Sequence, residues 1–307
     1  MNKSYPAKLL LFGEYTIIKG SLALAVPHTI YSGTWQKVLI TDRSKEVEAS
    51  QISLYKISTY LEDLQKKTQL KSFLDLKKFQ FELENGLWFD SSIPTGYGLG
   101  SSGAVCAGIY SRFNSLPTAD LSILRDELSQ IEGFFHGESS GIDPLVSYLQ
   151  QAVLIKNKNS IEILPEFRPQ LNNGPGAIFL IDTQISRETT PLVNYYLERS
   201  KGKSFQKNYI NPLSEIVESS IRHLLKQEYS NLLSSVFRIS ALQNEYMTHF
   251  IPLPFQKVWE FGLKTEKYAL KLCGAGGGGV ILGFTKNWQE TEAELSNYSI
   301  SKLYSLD

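Results

Sequence analysis

Two glycine-rich segments constrain this chain more than any other feature. One is Pro94-Thr95-Gly96-Tyr97-Gly98-Leu99-Gly100-Ser101-Ser102-Gly103. The other is Gly274-Ala275-Gly276-Gly277-Gly278-Gly279, near the end of the 307 residues. Glycine loses more conformational freedom on folding than any other residue, so a run of it serves close approach to another segment or to a ligand. The first segment contains a literal G-x-G-x-x-G at Gly98, Gly100 and Gly103. A dinucleotide fingerprint needs that motif on a tight strand-to-helix turn, with an acid about 20 residues on after the next strand. Here Pro94 separates the preceding strand from the glycines, and the segment around Asp120 starts a helix. A Rossmann unit is disfavoured on both counts. The Walker pattern is missing as well, because no lysine follows these glycines. What remains is a set of small residues ahead of a helix, whose free N–H groups and positive dipole end bind phosphate. Ser101 and Ser102 add hydroxyl donors or an oxygen ligand for Mg²⁺. A glycine loop with a serine cap and no ligand is the competing reading of this segment taken alone.

A third signal lies between the two loops. Glu132-Gly133-Phe134-Phe135-His136-Gly137-Glu138-Ser139-Ser140-Gly141-Ile142-Asp143-Pro144 packs acids, serines and glycines ahead of the apolar run Leu145–Leu149. On its own, Asp143 followed by Pro144 reads as the N-cap and first residue of a helix. The four histidines, at 28, 136, 223 and 249, show no metal-ligand spacing, and His136 reads as structural rather than catalytic. Lys and Arg number 31, Asp and Glu 31, and the net charge is zero. That balance disfavours a broad nucleic-acid face, which needs a basic excess. Two distant cysteines, Cys106 and Cys273, make neither a disulfide framework nor a zinc cluster and suit a reducing compartment. The N-terminus leads into only four apolar residues, Leu9–Phe12, whereas a secretory core needs about 7–15. No run approaches the ~18 apolar residues of a membrane span. A cytoplasmic protein is expected, with neither nucleic acid nor membrane as partner; a homodimer is allowed.

Strands are expected at Leu9–Phe12, Tyr15–Ile18 and Leu22–Val26, separated by turn residues. Helical spacing covers Ser53–Leu70. Phe79–Leu83 and Leu87–Phe89 alternate around Asn85-Gly86, a hairpin signal. Helices follow at Ala104–Arg112 and about 120–135, then a hairpin from Gln151–Ile155 to Ile161–Leu164. Pro165 to Pro175 marks a domain junction. Beyond it come strand Ala177–Ile181, a mostly helical region at about 190–271, strand Val280–Phe284, a short polar helix and a strand near 298–304. Early strands and late helices indicate α+β with domains 1–170 and 171–307.

Together these segments resemble the GHMP kinase superfamily, and within it most nearly the mevalonate kinases. The first family motif reads here Pro6-Ala7-Lys8-Leu9-Leu10-Leu11-Phe12-Gly13-Glu14-Tyr15, followed by Gly20 and Ala23-Leu24-Ala25; the second is Pro94 through Ser102; the third is Lys271 through Gly279. Glu132, His136-Gly137 and Ser140-Gly141-Ile142-Asp143 match the mevalonate kinase pattern between them, and Arg187-Glu188-Thr189 is similar to its Arg-Ser-Thr. The resemblance implies an N-terminal domain like the second domain of ribosomal protein S5 and a helix-rich, ferredoxin-like C-terminal domain.

It also implies transfer of the γ-phosphoryl group of ATP, with Mg²⁺, to the primary hydroxyl of mevalonate or a related alcohol. Asp143 would be the base and Lys8 its charge partner. Pro94, Gly96, Gly98, Leu99, Gly100, Ser101 and Ser102 would wrap the ATP phosphates, with Ser102 and Glu132 on the metal. Glu14, Tyr15, His136, Arg187, Thr189, Gly274, Ala275 and Gly276 would face the substrate. One departure bears on the acceptor: the family motif usually reads Gly-Glu-His, and Tyr15 stands where the His is expected. A phenol donates to a carboxylate but carries no charge. Phosphomevalonate kinases, several of which carry a Tyr there, are the rival within the class. A non-catalytic nucleotide- or metabolite-binding homologue is the rival outside it.

Overall fold

Local caps and apolar spacing set the elements seen in the computed structural model, which describes residues 3–38, 44–157, 160–167, 174–186 and 189–307. The chain divides into two compact units. The first comprises Met1–Lys8, Val26–Pro94 and Leu99–Gln151; the second comprises Leu9–Ala25, Thr95–Gly98 and Ala152–Asp307.

In the first unit, strand β1 (Ser4–Phe12) contributes its residues up to Lys8. Strand β2 (Ala23–Lys37) contributes its C-terminal part. Helix α1 (Lys45–Lys66) starts where Ser44 accepts a hydrogen bond from the Val47 amide. Helix α2 (Leu76–Glu84) starts where Asp75 accepts one from Lys78. Strand β3 (Leu87–Ser91) pairs antiparallel with β2, Gly33 opposite Ser91 and Lys37 opposite Leu87. Helix α3 (Ser101–Phe113) follows the first glycine-rich segment. Helix α4 (Leu121–His136) is capped by Asp120, and α5 (Ile142–Leu149) closes the unit. Trp35 is the centre of the core, edge-on to Phe89 at 5.0 Å and to Phe113 at 5.9 Å, with its indole N–H donating to the Gly108 carbonyl.

Two expectations fail for stated reasons. The hairpin around Asn85-Gly86 is instead helix α2 running into β3. Leu76, Phe79 and Leu83 recur at helical spacing and are buried, while Phe81 is exposed. The Asn-Gly pair serves as the helix stop, with Asn85 as C-cap and Gly86 at φ 81°. Asp143 is not an N-cap. Gly141, at φ 71°, takes that position, and Asp143 sits in the first turn of α5.

The second unit holds a hairpin of β4 (Ala152–Asn157) and β5 (Ser160–Leu164), with Ala23–Ala25 of β2 paired to β4. Strand β6 (Gly176–Asp182) follows. The helical region is α6 (Thr189–Arg199), α7 (Lys203–Phe205), α8 (Asn211–Leu225), α9 (Tyr229–Tyr246) and α10 (Leu253–Thr265). Strands β7 (Tyr268–Leu272) and β8 (Val280–Thr285), helix α11 (Trp288–Glu294) and strand β9 (Ser299–Leu306) complete it. These strands form an antiparallel sheet in the order β7-β8-β6-β9, with α9 and α10 lying on β7. The strand expected at Tyr15–Ile18 is a 3-10 helical turn, Thr16–Lys19, between Tyr15 at φ 64° and Gly20 at φ 90°. Part of the expected junction at 165–175 lies outside the described residues.

Candidate active site

The first unit brings expected residues from β1, α3, α4 and α5 to one place. β1 carries Lys8 past the glycine-rich segment, where the Lys8 amide donates to the Leu99 carbonyl at 2.8 Å. Its ammonium meets Asp143 Oδ1 at 2.7 Å. The pair is not sealed: the Asp143 side chain keeps 30% of its exposure. Gly103 sets the approach of α3 to α5, since a Cβ there would stand 2.7 Å from the Asp143 carbonyl carbon. At Gly100, the N-cap of α3, a Cβ would lie 3.3 Å from Asp143 Oδ2. No side chain caps α3. Its first-turn amides, at Ser101 and Ser102, therefore begin beside the Lys8–Asp143 pair, with the positive end of the helix dipole.

Glu132 and His136 come from the last turns of α4, four residues apart and so on one face. Ser102 Oγ lies 3.3 Å from Glu132 Oε1 and 3.2 Å from His136 Nε2. Ser139 donates to the other Glu132 oxygen. Burial, and after it the negative charge of Asp143, pushes the Glu132 carboxyl up to about 7. Among the described residues, no three His, Cys, Asp or Glu side chains converge on a metal position. The set that does converge, a hydroxyl and a carboxylate, is all oxygen. It suits Mg²⁺, which takes one or two carboxylates and completes its shell with phosphate and water.

The remaining expected residues fall in the second unit. Glu14 and Tyr15 are both buried. The Tyr15 hydroxyl donates to the Ala275 carbonyl at 2.6 Å, and its ring packs on Tyr196 and Phe250. Glycines 274–279 connect antiparallel β7 and β8, and all five have positive φ. The run is close-packed by its own unit: a Cβ at Gly278 would meet the Ile185 carbonyl oxygen at 2.4 Å, and one at Gly279 the Tyr97 carbonyl oxygen at 2.3 Å. Arg187 lies outside the described residues, as does the side chain of Thr189.

The sequence reading missed a second ion pair. Lys271 and Glu14 meet at 2.8 Å with side chains 0% and 2% exposed. Lys271 also donates to the Leu272 carbonyl, and Gln243 donates to Glu14 while accepting from the Leu272 amide. The available signal was a lysine in the otherwise apolar strand Tyr268-Ala269-Leu270-Lys271-Leu272, which demands a buried acid.

Residues 56–151, which carry α3, α4 and α5 of this site, match the family model described as the GHMP kinases N terminal domain. The chain is 23% identical over 363 residues to the mevalonate kinase of Dictyostelium discoideum, covering 97% of this chain and 90% of that one. That match identifies a GHMP kinase N-terminal domain over residues 56–151. The fold agrees with that match. The structure of L. major mevalonate kinase in complex with R-mevalonate superposes with a TM-score of 0.66 at 15% identity, over 98% of this chain and 94% of that chain. Streptococcus pneumoniae phosphomevalonate kinase in complex with phosphomevalonate and AMPPNP gives a TM-score of 0.65 at 16% identity, over 99% and 100%. The protein is thus an α+β phosphotransferase acting on an alcohol, with ATP implied as phosphoryl donor.

Proposed function

We propose that this protein is a GHMP kinase that transfers the γ-phosphoryl group of ATP to the primary hydroxyl of mevalonate. The observation that carries the reading is the open Lys8–Asp143 pair, at 2.7 Å, beside the uncapped N-terminus of α3. Phosphoryl transfer needs positioning and charge stabilisation rather than a covalent intermediate. Backbone amides of Ser101 and Ser102, with the turn through Pro94, Gly96, Gly98, Leu99 and Gly100, suit the phosphates of the donor. Asp143 accepts the proton of the acceptor hydroxyl while its oxygen bonds to the γ-phosphorus and the bond to the bridging oxygen of ADP breaks. Lys8, already against Asp143, offsets charge on the phosphoryl oxygens as they pass. Ser102 and Glu132 are the residues that would hold Mg²⁺, which neutralises phosphate charge when bound. The relatives named mevalonate kinase support the acceptor assignment.

The buried Tyr15 in place of the family histidine keeps phosphomevalonate as the second reading. Among the described residues no helix is long and apolar enough to cross a membrane. Both cysteines are buried free thiols, which supports a reducing, cytoplasmic setting. The test is ADP release against a panel of mevalonate, phosphomevalonate, homoserine and galactose. The highest kcat/KM is expected with mevalonate; a preference for phosphomevalonate would transfer the assignment to the rival.

A further inference from the structure

Ser102 has one hydroxyl proton and two neighbours that can receive it. Glu132 Oε1 stands at 3.3 Å and His136 Nε2 at 3.2 Å. The choice matters for what the oxygens can still do. A hydroxyl offers one donor and two lone pairs. If its proton goes to Glu132, the O–H bond points at that carboxylate and takes one lone pair of Oε1. The second oxygen of Glu132 already accepts from Ser139, so each carboxylate oxygen would then carry a hydrogen bond within the chain. If the proton goes to His136, the O–H bond turns away from Glu132, the Ser102 lone pairs turn with it, and Glu132 Oε1 is left open. His136 is well placed to take it. It is the last residue of α4, one turn after Glu132, and Gly137 ends the helix behind it. Its ring is exposed, and among the contacts of the described residues its polar partner is Ser102.

We propose that His136 is a positioning residue for divalent-cation binding: its Nε2 accepts the Ser102 hydroxyl hydrogen bond, which orients the Ser102 lone pairs and leaves Glu132 Oε1 open for the cation that accompanies the nucleotide. The imidazole acts through the serine and is not itself a ligand. Its Nδ1 carries the ring proton in this arrangement. Outer partners of this kind typically change metal affinity by about 10–100-fold when removed. The inference rests on the reading of the site as one for a metal-bound nucleotide.

The experiment measures the affinity of the full chain for Mn²⁺ in the presence of ADP, by the electron paramagnetic resonance signal of free Mn²⁺. The variants are Ser102→Ala, His136→Leu, His136→Gln and the double variant Ser102→Ala/His136→Leu. His136→Leu is expected to weaken Mn²⁺ binding about 10-fold. His136→Gln, whose amide oxygen supplies an acceptor near the position of Nε2, restores most of it. In the Ser102→Ala background His136→Leu adds nothing, because the hydroxyl it orients is gone. Wild-type affinity in His136→Leu overturns the proposal. So does a failure of Gln to rescue, or a full loss on adding His136→Leu to Ser102→Ala, which would make the imidazole a direct ligand. A wild-type protein that binds no Mn²⁺ with ADP overturns the kinase reading along with this inference. A wild type that binds, beside a His136→Leu that binds equally well, overturns this inference alone.

Discussion

Each of the two units holds a buried lysine paired with a carboxylate at nearly the same distance, and the two pairs differ in their surroundings. Lys271 and Glu14 Oε1 meet at 2.8 Å with essentially no exposed side-chain surface; Gln243 donates to the same Glu14 oxygen and Lys271 donates to the Leu272 carbonyl. Lys8 and Asp143 meet at 2.7 Å, but the aspartate remains 30% exposed and uncapped helical amides begin next to it. A sealed pair fixes a strand to a turn, and removing one member strands the other in low dielectric. An open pair leaves its carboxylate able to receive a proton from an incoming group. Location in a motif does not separate these roles, since Lys8 and Glu14 belong to one ten-residue stretch. Solvent access does.

The sharpest break of this comparison is Lys271→Met. It should cost about 3–5 kcal/mol in urea unfolding, because Glu14 loses its charge partner while buried. Lys8→Met should cost only about 1 kcal/mol, since Asp143 still reaches water. Equal losses would erase the distinction.

A smaller effect concerns Glu132, whose carboxyl burial pushes up to about 7 from its ordinary 4.5, with Asp143 adding to the shift. The folded state therefore holds a proton that the unfolded chain has released, and folding weakens as pH rises from 4.5 towards 7. Glu132→Gln removes that term. Relative to wild type, the variant should gain about 3 kcal/mol across this window, read from urea melts without divalent cations. A flat difference would contradict the burial argument.

The smallest effect is Tyr15→Phe. It leaves the Ala275 carbonyl without its phenol donor and should lower stability by about 1 kcal/mol. A loss of that size with unchanged KM for the acceptor would assign the hydroxyl to the glycine run.

Much of this was legible in the sequence, and the failures have physical causes. Lys8, Ser102, Glu132 and Asp143 could be named from the family resemblance, because its motifs place a lysine, a serine and carboxylates at these positions. The 3-10 turn at Thr16–Lys19 was hidden because a short apolar run has no period of its own. Phe79-Gln80-Phe81-Glu82-Leu83 alternates as a strand would, and only Leu76 and the Asp75 cap, just upstream, reveal the helix. The Lys271–Glu14 pair joins residues remote in sequence, and pairing across such a distance leaves no local spacing to read. His136 was named for the substrate; the structure puts it on Ser102.

The most direct measurement is steady-state ADP release with mevalonate by Asp143→Asn, with ATP affinity measured in parallel. The account predicts a fall in kcat of about 100-fold or more with ATP affinity near that of wild type. Wild-type turnover in a folded Asp143→Asn protein would contradict it.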